Sequence, residues 1–145
     1  MAAAMDPHVA RIVQAFEQLT PASLARLAEL YTADARFKDP FNEVQGVPAI
    51  RAVFEHMYAT LDAPRFVVRD VVAQGDQCFL TWDFIFRMRR FNRDEQTVRG
   101  GSHLVLAADG RIALHRDYWD VAEELYEKLP LVGSLMRWLK RRANR

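Results

Sequence analysis

The sequence predicts an α+β protein in which helices pack on one face of a mainly antiparallel sheet. Three observations carry that prediction. Apolar residues recur at the helical period in the first part of the chain, alternate strictly from Phe79 to Met88, and return to the helical period after Asp120.

Val9, Ile12, Val13, Phe16 and Leu19 make one stripe of a first helix. Thr20-Pro21 stops it and opens a second, with Thr20 as N-cap and Pro21 at the first helical position. Leu24, Leu27, Ala28 and Tyr31 continue the stripe. The stretch YTADARFKDPFNEVQG, residues 31–46, carries Pro and Gly punctuation and reads as a connector. Gly46 and Pro48 launch a third helix bearing Ile50, Val53, Phe54, Met57 and Leu61.

Strands are expected from Arg65 to Ala73, Phe79 to Met88, Thr97 to Ala107 and Arg111 to Trp119. Gly75-Asp76, the polar tip RRFNRDEQ and the hairpin signal Asp109-Gly110 join them. Leu80, Trp82, Phe84, Phe86 and Met88 share one face of their strand, and Thr81, Asp83, Ile85 and Arg87 the other. Gly100-Gly101, inside a strand, reads as a bulge or bend. Past Asp120, Val121, Leu125 and Leu129 precede Pro130, and Leu131, Val132, Leu135, Trp138 and Leu139 form a further helical stripe.

With 145 residues the chain is expected to be one domain, 1–145, with a core over about 8–120 and a C-terminal helical extension over about 121–142. Half the residues are hydrophobic and 27% charged, the balance of a globular chain able to bury a core without staples. A formal net charge of +1 gives no overall field for nucleic acid. No run approaches the ~18 apolar residues of a membrane span. MAAAMDPH carries a Pro and an acid where a secretory segment needs a basic and then an apolar region. The lone Cys78 excludes an internal disulfide, fits a cytoplasmic location and, within QCFLTW, reads as an inert buried thiol.

The order of elements, with "LYTADARFKDP" ahead of a helix and "DGRIALHRDYWD" at the end of the meander, resembles the nuclear-transport-factor-2-like superfamily. Its SnoaL-like and ketosteroid-isomerase-like branch is the nearest shape. The resemblance spans roughly residues 8 to 120. It implies a cone-shaped, cystatin-like fold in which N-terminal helices cover a curved sheet, here with an extra C-terminal helix. The superfamily hosts isomerases, cyclases, hydrolases, dehydratases and proteins without chemistry, so the shape alone assigns no activity.

Matched to ketosteroid isomerases, the general base of a "D-P" pair falls on Asp39 and the pocket Trp on Trp119. The oxyanion-hole Tyr falls on Phe16 and its partner Asp near Ser102. Phe16 cannot donate a hydrogen bond and Ser102 donates weakly. Since one oxyanion donor is worth about 3 kcal/mol of barrier, the match argues against steroid isomerisation. Matched to SnoaL-like polyketide cyclases, the H-x-D of the last strand survives as His115-Arg116-Asp117, and that resemblance makes Asp117 the acid/base.

On a strand His115, Asp117 and Trp119 share a face. If that face lines the cone, two carboxylates and an imidazole confront an aromatic cavity and can trade protons. The expected catalytic set is Asp117, His115 and Asp39. The expected ligand wall is Trp119, Trp82, Phe16, Phe84, Ser102, Phe41, Phe54 and Tyr58. The bland alternatives are a His115–Asp117 pair that merely ties the strand end and an Asp39 that closes an Asp-Pro turn. If Asp117 and Asp39 face a cavity of a few hundred Å3, the range of ligand sites, an enzyme or carrier stands; if both are solvent-exposed or side chains fill the cone, the catalytic reading falls.

Four scattered histidines and one cysteine show no metal-ligand spacing, and no phosphate loop or dinucleotide fingerprint occurs, so neither metal nor cofactor is expected. Arg87, Arg89, Arg90 and Arg93 cluster at a tip balanced by Asp94 and Glu95, which reads as solvated rather than nucleic-acid binding. The expected partners are a small, largely apolar molecule and a second copy, paired through the outer sheet face bearing Ile85, Val105 and His103. A ligand carrier or interaction module is the alternative to an acid/base enzyme. The basic C-terminal stripe is expected to seal the pocket mouth or pack on a partner subunit in preference to lying on an anionic membrane.

Overall fold

The structure, a computed structural model, describes residues 5–90, 93–125 and 130–144, with the side chains of 130–132 left aside. Residues 91 and 92 of the polar tip, the Leu129 end of the Val121 stripe, the side chains of Leu131 and Val132, and the terminal Arg145 therefore fall outside the description.

Helix α1 (Pro7–Glu17) opens on Asp6, whose side chain accepts from His8 N, and buries Val9, Ile12 and Phe16. An 11-residue helix is marginal alone. Burying each large aliphatic side chain contributes roughly 1.5–3 kcal/mol and holds it in place. Thr20 is the N-cap expected at Thr20-Pro21, and with Ser23 it also forms a capping box. The turns that follow differ from one continuous second helix. Pro21–Arg26 winds as a 3-10 helix, and only Leu27–Leu30 is α-helical (α2).

Tyr31 does not continue that helix but begins a strand. The stretch read as a connector holds β1 (Tyr31–Lys38) and β2 (Glu43–Gln45). Alternation is muted there because two of the positions 31, 33, 35 and 37 are alanines, and the pairing register shifts between Tyr31 and Arg36. Helix α3 (Val47–Thr60) follows Gly46, whose φ of +92° suits glycine. Leu61 opens β3 (Leu61–Gln74) instead of closing the helix. Ala63 at φ +49° and Pro64 sit where the β3 register slips, on an edge strand that tolerates proline.

Strands β4 (Gln77–Met88), β5 (Glu95–Leu106) and β6 (Ile112–Tyr118) complete a six-stranded sheet of order β2-β1-β6-β5-β4-β3. It is antiparallel except where β1 runs parallel to β6. The β5–β6 hairpin forms as expected, but its turn centres on Ala108-Asp109, with Gly110 N–H donating to Ala107 O and Gly110 at φ +85°. Gly100-Gly101 is not a bulge, because its register with Trp82 and Thr81 is continuous. The glycines make room for rings. A Cβ on Gly100 would lie 2.5 Å from the Trp82 ring, and one on Gly101 2.7 Å from Phe79 on the other face.

Helices α1 and α3 lay Ile12, Phe16, Ile50 and Phe54 onto Leu80, Trp82, Phe86, Val98, Leu104 and Ile112 of the inner sheet face, forming one core. Cys78 is in that core at 1% exposure, and burial pushes its thiol up, as suits an inert group. Beyond β6 come α4 (Val121–Glu124), tied to β5 by the Arg99 Nε–Glu124 Oε1 pair at 3.0 Å, and α5 (Pro130–Ala143). No helix among the described residues is long and apolar enough to cross a membrane.

Candidate active site

Strand β6 turns His115 and Asp117 inward, toward residues supplied by β1, β4 and β5. Tyr31, the first residue of β1, lies against His115 with its hydroxyl 2.7 Å from Nδ1. His115 Nε2 is 2.6 Å from Asp117 Oδ1. From the other side, Trp82 Nε1 donates to Ser102 Oγ at 2.8 Å, and Ser102 Oγ donates to the same Asp117 Oδ1 at 2.5 Å.

Protonation follows from the direction of these bonds. Burial, and then the negative charge of Asp117, push the Tyr31 phenol well above its ordinary range, so it stays protonated. Where the phenol donates to Nδ1, the neutral imidazole carries its proton on Nε2, facing Asp117. Two arms, Tyr31–His115 and Trp82–Ser102, thus converge as donors on one carboxylate oxygen. Asp117 Oδ2 accepts no hydrogen bond among the described residues. No sealed side-chain oxygen there lacks a partner, so Oδ2 is open to solvent or to a guest.

Aromatic rings enclose the pair. Phe37 stands edge-on to the His115 ring at 4.7 Å, Phe16 at 5.5 Å, and Tyr31 stacks at 5.9 Å. Phe16, Phe54, Phe66, Val68, Leu80, Trp82, Ser102, His115 and Asp117 line an enclosed space of about 20 Å3, room for about one water. The cavity of ligand size anticipated from the sequence is therefore replaced by a cone that side chains nearly fill. Phe66 accounts for much of this: it meets Phe16, Trp82 and Phe84 with ring centroids 6.5, 5.7 and 4.7 Å away.

Of the residues singled out from sequence, Asp117, His115, Phe16, Phe54, Trp82 and Ser102 meet at this space. Asp39 and Trp119 do not. They border a shallow cleft of about 180 Å3 at the strand ends with Lys38, Pro40, Arg116, Asp117 and Tyr118, so Asp117 stands between cone and cleft. Asp39 is a turn carboxylate in its contacts. Oδ1 accepts from Phe41 N, Asn42 N and Asn42 Nδ2 at 2.8, 2.6 and 3.0 Å, and Oδ2 from Asn42 Nδ2 at 3.1 Å. Phe41, 58% exposed, packs edge-on to Trp119 at the cleft. Phe84 belongs to an aromatic row with Phe66 and Phe86, outside the enclosed space. Tyr58 is half-buried, which pushes its phenol up, and its carbonyl accepts from Arg89. Among the described residues, no three His, Cys, Asp or Glu side chains gather as a metal site.

Tyr31 and Phe66 were missed in the sequence. Tyr31 continues a helical stripe on paper, and its 84-residue separation from His115 leaves no local signal.

A helix-covered, six-stranded mixed sheet with an acid/imidazole pair on its last strand is an α+β arrangement found in other proteins. The profile described as "SnoaL-like domain" matches residues 9–115, and the chain belongs to that family, within the nuclear-transport-factor-2-like superfamily. No curated protein of similar sequence was matched. Solved structures share the fold at low identity. A hypothetical protein with a ketosteroid-isomerase-like fold from Catenulispora acidiphila, in complex with trimethylamine, is 15% identical over 84% of this chain and 92% of its own, with a TM-score of 0.71. A candidate SnoaL-like polyketide cyclase from Jannaschia is 17% identical over 84% and 94%, also with a TM-score of 0.71. An epoxide hydrolase of the LEH-like type from M. tuberculosis is 15% identical over 81% and 83%, with a TM-score of 0.63.

Proposed function

We propose that the chain binds a small, largely apolar molecule and performs acid/base chemistry on it, of isomerase, cyclase or dehydratase type, with Asp117 as the group that takes and returns the proton. The observation that carries this is the asymmetry of Asp117: Oδ1 is anchored by two buried donors, while Oδ2 is left without one. A base needs its reacting oxygen aimed and unencumbered. Oδ2 removes a proton from a carbon acidified by a neighbouring carbonyl, and the resulting carboxylic acid returns it to another atom of the same molecule. His115 and Tyr31 act as positioning residues for that carboxylate. The apolar wall of Phe16, Phe54, Phe66 and Trp82 selects the substrate, which enters by displacing Phe66 or approaches Asp117 from the cleft beside Asp39 and Trp119.

Solvent-deuterium exchange into a panel of small cyclic ketones, followed by NMR, tests the proposal. Exchange should fall by about 10²–10⁴-fold in Asp117→Asn, the usual worth of a positioned general base, while ligand-detected binding persists. Exchange that is absent, or indifferent to Asp117→Asn, overturns it.

The nearly filled cone counts against chemistry unless a guest displaces Phe66 or meets Asp117 from the cleft, and it supports a second reading, a non-catalytic binding or interaction module. It requires ketone or other apolar-ligand binding without exchange in wild type. A homodimer through the outer sheet face, in a reducing cytoplasm, accompanies either reading. That face presents Val72, Phe79 and Tyr118 at 65, 39 and 46% exposure, beside His103 and Val105.

A further inference from the structure

Helix α5 stands apart from the Asp117 site. None of its described residues lines the enclosed space or the Asp39 cleft, and its principal contact is α4. Leu135, Trp138 and Leu139 stand 52, 47 and 44% exposed. At 100° per residue these three share one arc, with Arg142 between Trp138 and Leu135, while Arg137 and Lys140 lie on the opposite arc beside the buried Gly133 and Arg141 lies on the flank. Arg142 sits over the Trp138 ring at 5.4 Å. The helix PLVGSLMRWLKRRA holds four cations and no acid.

We infer that α5 is an in-plane anchor that lays Leu135, Trp138 and Leu139 into an anionic bilayer surface while Arg141 and Arg142, at the flank and within that arc, meet the lipid phosphates. Charge selects that occupant. The whole chain is only +1, so with four cations on α5 the remainder of the molecule is net negative and is held away from an anionic surface. A second α5 would bring like charges together beside the apolar arc. A soluble polyanion would neutralise the cations and leave Leu135, Trp138 and Leu139 in water. A bilayer satisfies both faces, the apolar one sinking about 5–10 Å, with Arg141 and Arg142 reaching up from their aliphatic stems. At about 21 Å long the helix lies along the surface and does not span it.

Full-length protein is sedimented with vesicles of phosphatidylcholine alone and with vesicles of equal parts phosphatidylcholine and phosphatidylglycerol, beside Arg141→Gln/Arg142→Gln and Leu135→Ser/Leu139→Ser. Circular dichroism verifies that each variant keeps its helices. Wild type should partition onto the anionic vesicles and be released in 1 M salt, where the screening length is about 3 Å. Removing the two arginines should lower partitioning about 30-fold, at about 1 kcal/mol per basic residue, and the two serines should abolish it. Equal partitioning onto both vesicles, or none, overturns the inference. So does binding that survives the serine variant but not the arginine variant, the mark of a soluble polyanion site. Dimerisation by light scattering that the serine variant alone abolishes would assign the face to a second copy instead.

Discussion

The two carboxylates flanking the mouth of the cone are opposites in how their oxygens are spent. Asp39 at the rim accepts four hydrogen bonds within its own turn, on both oxygens. Asp117 accepts two, both on Oδ1, from residues 15 positions away and from its strand neighbour two positions away. The first carboxylate is committed to local backbone geometry. The second is held by tertiary structure with one oxygen in reserve, and reserve capacity is what chemistry requires.

Deleting the two carboxylates should separate them most widely. Asp117→Ala strands the His115 N–H and the Ser102 O–H, two buried donors at roughly 1–3 kcal/mol each. Chemical denaturation should show a loss of about 2–4 kcal/mol, and Asp117→Asn a smaller one, because the amide oxygen still accepts. A loss below 1 kcal/mol would mean that water replaces the carboxylate and that the buried network is not integral to the fold.

That contrast also marks what the sequence could and could not disclose. Strand β4 and helix α1 were legible because Leu80, Trp82 and Phe86, and Val9, Ile12 and Phe16, keep the strand and helix periods over their whole length. Strand β1 was not, since Ala33 and Ala35 dilute its alternation. His115 and Asp117 were visible as an i, i+2 pair on one strand face. Their anchors Tyr31 and Ser102 come from other strands, a matter of sheet order and register that no local pattern encodes. The turn role of Asp39 follows from Asn42 three residues on, but whether the turn opens into the cone or onto the surface depends on where β1 ends against β6.

Crowding gives the next effect. Gly100→Ala pushes a methyl group into the Trp82 ring and should cost about 1–3 kcal/mol, measured by thermal melting. It should also impair deuterium exchange, because displacing Trp82 loosens Ser102. At the rim, Asp39→Ala should cost about 1 kcal/mol and leave exchange within a few-fold of wild type. A collapse of exchange there would promote Asp39 to the chemistry and erase the contrast drawn above.

Alkaline titration probes the cone from the Tyr31 side. The folded-state pKa of Tyr31 is raised above its ordinary value of about 10. Its stabilising contribution is therefore complete below pH ~10 and is lost as pH rises through the folded value. Wild type should destabilise above pH ~10 more steeply than Tyr31→Phe. Parallel curves would show that the phenol reaches water. The smallest effect belongs to the exposed hairpin, where hydrogen bonds from the Arg111 backbone and side chain lower the Asp109 carboxyl. That contribution is present above the ordinary carboxyl range and fades on acidification through the lowered value, so Asp109→Asn should flatten a slight acid-side slope measurable only at low salt.

The indole of Trp82 is 6% exposed, lies over Gly100 and is one hydroxyl removed from Asp117. It is thereby an optical probe built into the cone. In a Trp119→Phe/Trp138→Phe background Trp82 is the one indole left, and emission shielded from iodide there reports the Asp117 environment alone. A guest that displaces Phe66 from the Trp82 ring should change that emission before any product forms, giving a label-free titration of occupancy.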